Sequence, residues 1–405
     1  MTQPIESTPE AILAHRMHAQ NLTQRVPRPR FMDSLRACGI RNPAPDSAVI
    51  SLAARVEGFY QRDFGALLME SQAIVQAVSI RSAIRVFPRE DFDIFTKALF
   101  PGNEDELRYY IAGAEPALVT LGLSATQVLV LVSRAVDEVL QQQMLTKHDL
   151  GLALALRIGQ ELTPAQQEVW RWPSSYAQGQ SLGESLARFM LPVVALEGKL
   201  CLFSKPGHRG TYYALSTMLP GFSDEKPQRL ESTDAQKELV RRYLHCFGPA
   251  TEENFAAWAG ISLGQAQRLW MGMEPLVQRV TYQTVSGWML QEDVQQLGKN
   301  PIPEGVRLLP PHDPWLHQHD RSLIVQGKHA HRYFWKSAGS PGMVLFDGEG
   351  VAGWQLRILK NKLLVAIEDI GLPIRRASGS ELKAEASRLA DTFGLESQGY
   401  TINSI

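Results

Sequence analysis

Residues 234–292 read DAQKELVRRYLHCFGPATEENFAAWAGISLGQAQRLWMGMEPLVQRVTYQTVSGWMLQE, and the fold is decided there. Leu239, Tyr243, Leu244 and Phe247 recur at helical spacing on one face, with Lys237, Arg241 and Arg242 opposite. Gly248 and Pro249 stop that helix. Thr251 is the N-cap of a second helix, with Asn254 three places on and Phe255, Trp258 and Ala259 as its apolar side. Gly260 ends it, and Ser262 opens a third helix with Gln265 in the capping-box position. Two β-rich runs, Val277 to Thr281 and Gly287 to Leu290, flank a polar turn. Three helices and a hairpin in that order describe a winged helix-turn-helix. Its third helix, SLGQAQRLW with Arg268, is the one offered to a DNA groove.

The same logic recurs upstream, more loosely. In the second block, Ser124 to Gln143 reads as a long apolar helix, and a further helical pattern covers Asp149 to Gly159. Ser181 with Glu184 predicts a capped helix ending at Gly198. KLCLF and TYYAL then form a hairpin whose tip holds Lys205, His208 and Arg209, cations suited to phosphate contact. The first block opens with an amphipathic helix from about Pro9 to Leu22. Helices over Phe31 to Cys38 and Ser47 to Val56 follow, and then two short strands within Ala77 to Phe87 that carry Arg81 and Arg85. Those two arginines either meet phosphate or pair with Glu90 and Asp91. Between Arg25 and Arg55 six arginines face only Asp33 and Asp46, a local basic excess. The blocks form a divergent structural repeat without a strict sequence period.

After GKNPIPEG the pattern changes to short β-rich runs: VRLLP, RSLIV, HRYFW, GMVLF, VAGWQLRIL and NKLLVAIEDI, closed by the helix SELKAEASRLADTFG. The expected fold class is α+β, mainly α: winged helices over 1–110, 111–230 and 231–300, then an antiparallel β-barrel-like domain over 301–405. The chain has 405 residues, 44% hydrophobic and 20% charged, and a net charge of −1. Any nucleic-acid partner must therefore be met by local patches. Three scattered cysteines form no CxxC pair and read as ordinary thiols. No apolar run reaches ~18 residues, so a membrane partner is not expected and a cytoplasmic location is.

VRRYLHCFGPATEENFAAWAGISLGQAQ, then LLPPHDPWLHQHDR and GMVLFDGEGVAGWQLRILKNKLLVAIE, resemble the AlkZ/YcaQ-type winged-helix DNA glycosylases over nearly the whole chain. AHRMHAQNL and RFMLPVVALEGKL look like theirs too. The resemblance implies three tandem winged helices and a barrel curved around duplex DNA, and excision of alkylated or crosslinked purines without metal or other cofactor; a monomer is expected. It also implies a Gln-x-Gln or Gln-x-Asp motif just after a Gly-Leu turn. Here that turn is CGIRNPAPDS, which puts Arg41 and Pro43 at the two motif positions. Neither can orient or deprotonate a water; Arg41 instead suits DNA contact. Asn42 and Asp46 are the candidate replacements, Asn42 to place water and Asp46 to act as base, with helix capping the plainer role for Asp46. His312, Asp313, His317, His319 and Asp320 crowd nine positions, and His-x-His is a ligand spacing. The prolines at 310, 311 and 314 favour a rigid structural turn, and no metal site is assigned.

Overall fold

The computed structural model describes residues 3–43, 46–204, 210–220, 222, 232–336 and 338–404. The hairpin tip with Lys205, His208 and Arg209 lies outside them.

The stretch that opened the sequence reading folds as read. Helices Ser232–Phe247, Glu252–Ala259 and Leu263–Trp270 precede strands Val277–Tyr282 and Val285–Leu290. Thr251 and Asn254 make the full reciprocal cap. Ser262 accepts the Gln265 amide, but the Gln265 side chain turns away and donates to the Leu99 carbonyl at 2.9 Å. Tyr243, Phe247, Phe255, Trp258 and Trp270 are buried in one cluster with Phe87, Phe92 and Phe95 of the first block and Leu196, Cys201 and Phe203 of the second, so three blocks share one core.

The first block holds helices Phe31–Cys38, Ser47–Ala53 and Gln61–Met69 and the hairpin Ile74–Val78/Ile84–Pro88, with Ile40–Arg41 as a third strand on its edge. The second has the predicted helices Ala125–Leu140, Lys147–Gly159 and Leu182–Leu196, then a hairpin of Leu200–Ser204 with Thr211–Leu215. Its Ser181 cap forms, while Glu184 pairs with Arg188 in place of completing the box. The chain's first elements go to the third block. Strand Ile5–Glu6 pairs in parallel with Val280 and Thr281, and helix Pro9–Ala19 packs on helix Ser232–Phe247.

Correction is needed in the last block. Strands Val306–Leu309, Gly342–Phe346, Glu349–Leu359, Lys362–Asp369 and Glu396–Ser404 form one open five-stranded sheet in sequence order, covered by helix Gly379–Phe393. The barrel does not close, because the first and last strands stay on opposite edges. The final strand also pairs in parallel, not antiparallel. RSLIV and HRYFW are not strands. Lys328–Phe334 is a helix that buries Ala330, Tyr333 and Phe334 on one side. Among the described residues no single helix is long and apolar enough to cross a membrane.

Candidate functional site

A cleft of about 1080 Å³ opens where the first-block hairpin, helix Glu252–Ala259 and the segment around 312–340 meet. Its wall carries Arg41, Arg81, Arg85, Arg321 and Lys336 against a single carboxylate, Asp320, which Arg16 already holds at 2.6 Å.

Backbone register puts Arg41 and Arg85 together. Arg41 lies directly opposite Arg85 in the antiparallel ladder, where side chains share a face and like charges repel. Arg81 and Ser82 form the hairpin tip with φ of 58° and 52°, a left-handed conformation costing on the order of 1 kcal/mol for a residue with a Cβ. The tip rests on Gly260. That glycine has φ 75°, and a Cβ there would stand 2.8 Å from the Arg81 Cα, so it serves both the helix end and the close approach. The strained turn is thereby held with Arg81 at the cleft.

Arg85 is 1% exposed. One terminal nitrogen donates to the carbonyls of Cys38 and Gly39, while Nε and the other terminal nitrogen have no partner. Burial, with Arg41 and Arg81 adding repulsion, lowers its pKa to about 10. Among the described residues no carboxylate pairs with Arg41, Arg81 or Arg85. Glu90 and Asp91, the expected acidic partners, are taken by Arg36 and Arg242. A buried guanidinium without an anion is costly, and an incoming phosphate would offset that cost.

The rigid turn read from the prolines is fastened by Asp313. Both its oxygens accept from Arg55, at 2.7 and 2.8 Å, and Ser51 donates to one of them at 2.6 Å. His312, at φ 62°, His317 and His319 project from this turn to the cleft wall. Burial lowers all three pKa values, that of His319 to about 3. The unfolded chain then takes up protons below about pH 6.5 that the folded chain refuses, so stability is lost as pH falls from there. At pH 5, His319 alone should account for about 2 kcal/mol. Thermal melts from pH 7.5 to 4.5 should show a falling Tm whose slope flattens in His319→Gln. Parallel curves for the two proteins would exclude His319 as a source.

The remaining predicted residues disperse. Asn42 donates to Gln76 at 2.7 Å and accepts the Ala48 amide at 3.3 Å, so it caps helix Ser47–Ala53. Asp46 makes no side-chain cap and accepts from exposed Gln61. Neither lines the cleft. Arg268 is tied to Glu106 at 2.7 Å, and its helix is docked through Gln265 on the Leu99–Phe100 backbone. Of the six clustered arginines, Arg25, Arg28, Arg30, Arg36 and Arg55 each pair with a carboxylate. Arg41 does not. Sequence reasoning missed Arg321 and Trp335, which stack at 4.6 Å on the cleft wall. The signal was there in Ala330, Tyr333 and Phe334, spaced three and four apart.

A family model described as DNA glycosylase AlkZ-like matches residues 35–392. Among solved structures the chain is similar to the DNA glycosylase AlkZ of Streptomyces sahachiroi. The TM-score is 0.75 at 18% identity, over 98% of this chain and 100% of that one. No curated protein matches.

Proposed function

Because the chain belongs to the AlkZ-like DNA glycosylase family, we propose that it binds damaged or distorted duplex DNA through the arginine cleft and lacks the family's glutamine-based excision chemistry. The observation that carries this reading is the trio Arg41, Arg81 and Arg85, converging on one cleft without a carboxylate partner among the described residues. Three guanidiniums in that setting suit a backbone phosphate next to an extruded nucleotide, and Trp335 offers a stacking face. The three helix-and-hairpin blocks act as winged helices of a monomer in alkylation or crosslink repair in the cytoplasm. Arg268, Lys205, His208 and Arg209 have a lesser share in the grip.

Phosphate neutralisation releases counterions, so affinity should fall steeply with salt. Replacing Arg41 by Gln and Arg81 by Asn, which tolerates the left-handed turn, should flatten the slope of log K against log salt by about 1.8, at ~0.9 per lost contact. Anisotropy titrations of a duplex with one unpaired nucleotide measure this. An unchanged slope would remove the cleft from the DNA surface.

One observation favours a hydrolytic second reading. Asp320 borders the cleft with Oδ1 fixed by Arg16 and a buried Oδ2 that makes no hydrogen bond and lies 3.8 Å from His319 Nε2, a carboxylate able to hold a water that reaches it.

A further inference from the structure

We propose that His15, His245 and Asp293, none of which lines the arginine cleft, form a zinc site that clamps the chain's first helix to the third block. The three residues come from helix Pro9–Ala19, helix Ser232–Phe247 and the short helix Gln291–Val294. Their ligand atoms all lie within 4.8 Å of one another. His245 Nδ1 is 2.9 Å from Asp293 Oδ1, and His15 Nε2 is 3.8 Å from Asp293 Oδ2. Tetrahedral zinc with bonds of about 2.0–2.1 Å needs its ligand atoms roughly 3.3 Å apart, so shifts on the order of 1 Å complete the geometry.

Two further features point to a cation. Asp293 is 4% exposed, yet its Oδ2 has no hydrogen-bond partner, an acceptor buried without a donor. His15 is 2% exposed and its Nε2–H donates to the His245 carbonyl at 3.1 Å; zinc binding displaces that proton and turns the ring off the carbonyl. With zinc on Nε2 the ring proton moves to Nδ1, where Asn300, 3.5 Å away, can accept it once its amide turns its oxygen to the ring. The His245 side chain is 38% exposed, which gives the ion a route in and leaves a fourth position for water. Two imidazoles and one carboxylate are a borderline donor set that suits zinc, with cobalt as its spectroscopic stand-in.

The test uses the full chain, stripped with chelator and titrated with cobalt. A tetrahedral visible band should saturate at one equivalent, vanish on adding zinc, and be absent in His245→Gln. Zinc at a hundredfold excess over its Kd should raise the wild-type Tm by about 3 °C and leave His245→Gln unmoved. Because His245 is partly exposed, His245→Gln should keep the far-UV spectrum of the parent, which makes it the deciding variant. Asp293→Asn, if it folds, should lose the band as well. No visible band, or an equal band in folded His245→Gln, would overturn the site.

Discussion

Incubated in excess with a duplex carrying N7-methylguanine, the protein should retain the DNA and release no base above the spontaneous rate. The methylated base is already a cationic leaving group, so an enzyme's tasks are to extrude the nucleotide and hold a water below C1′. Two glutamines, or a glutamine and a carboxylate, can do the second. Arg41 and Pro43 cannot, and Arg41 sets a positive charge near a developing cation, which raises the barrier. The loss expected from missing water activation is about 10²–10⁴ in rate. Asn42 and Asp46, the nearby substitutes, have their side chains engaged with Gln76, Ala48 and Gln61. Single-turnover gels decide the matter. Robust release abolished by Asp46→Ala or Asn42→Ala would install that residue as the replacement. Release abolished by Asp320→Asn would establish the second reading instead.

The largest stability effect is expected at Asp313. Its carboxylate and the Arg55 guanidinium are 0% and 2% exposed and joined by two hydrogen bonds. Removing one partner of a buried pair strands the other charge, at about 3–5 kcal/mol. Asp313→Ala should therefore shift the urea midpoint far below that of the parent and loosen the turn that holds His312 and His317. Replacing the pair together, Arg55→Met with Asp313→Leu, should recover part of the loss. A single-variant loss under about 1 kcal/mol would mean that water reaches Arg55 easily.

Local patterns made most helices legible: Thr251 with Asn254, the apolar helix opening at Ser124, and the apolar spacing of residues 239–247 all sit where they were read. The motif positions at Arg41 and Pro43 were legible only through the family resemblance. What the sequence hid was partnership over long distance. Arg25 finds Glu385 and Arg55 finds Asp313, so a basic run that looked like a DNA patch is mostly internal glue. Arg41 and Arg85 gain their meaning only when register sets them face to face. The strand Glu396–Ser404 escaped notice because ESQGYTINS is polar and lies on a sheet edge, where periodicity carries little signal. HRYFW misled because its aromatics suit strands by propensity, while the helix forms by burying one side.

The pairing of Ile5–Glu6 with Val280 and Thr281 also imposes an order on synthesis. About 270 residues separate the two strands along the chain. At ~5–20 residues per second a ribosome needs on the order of 10–50 s to deliver the second after the first. Throughout that interval the leading strand and the helix behind it lack the third-block strand and helix they pack on. The chain's first strand thus finds its partner only once the third block's hairpin has emerged, ahead of the five-stranded sheet of residues 306–404.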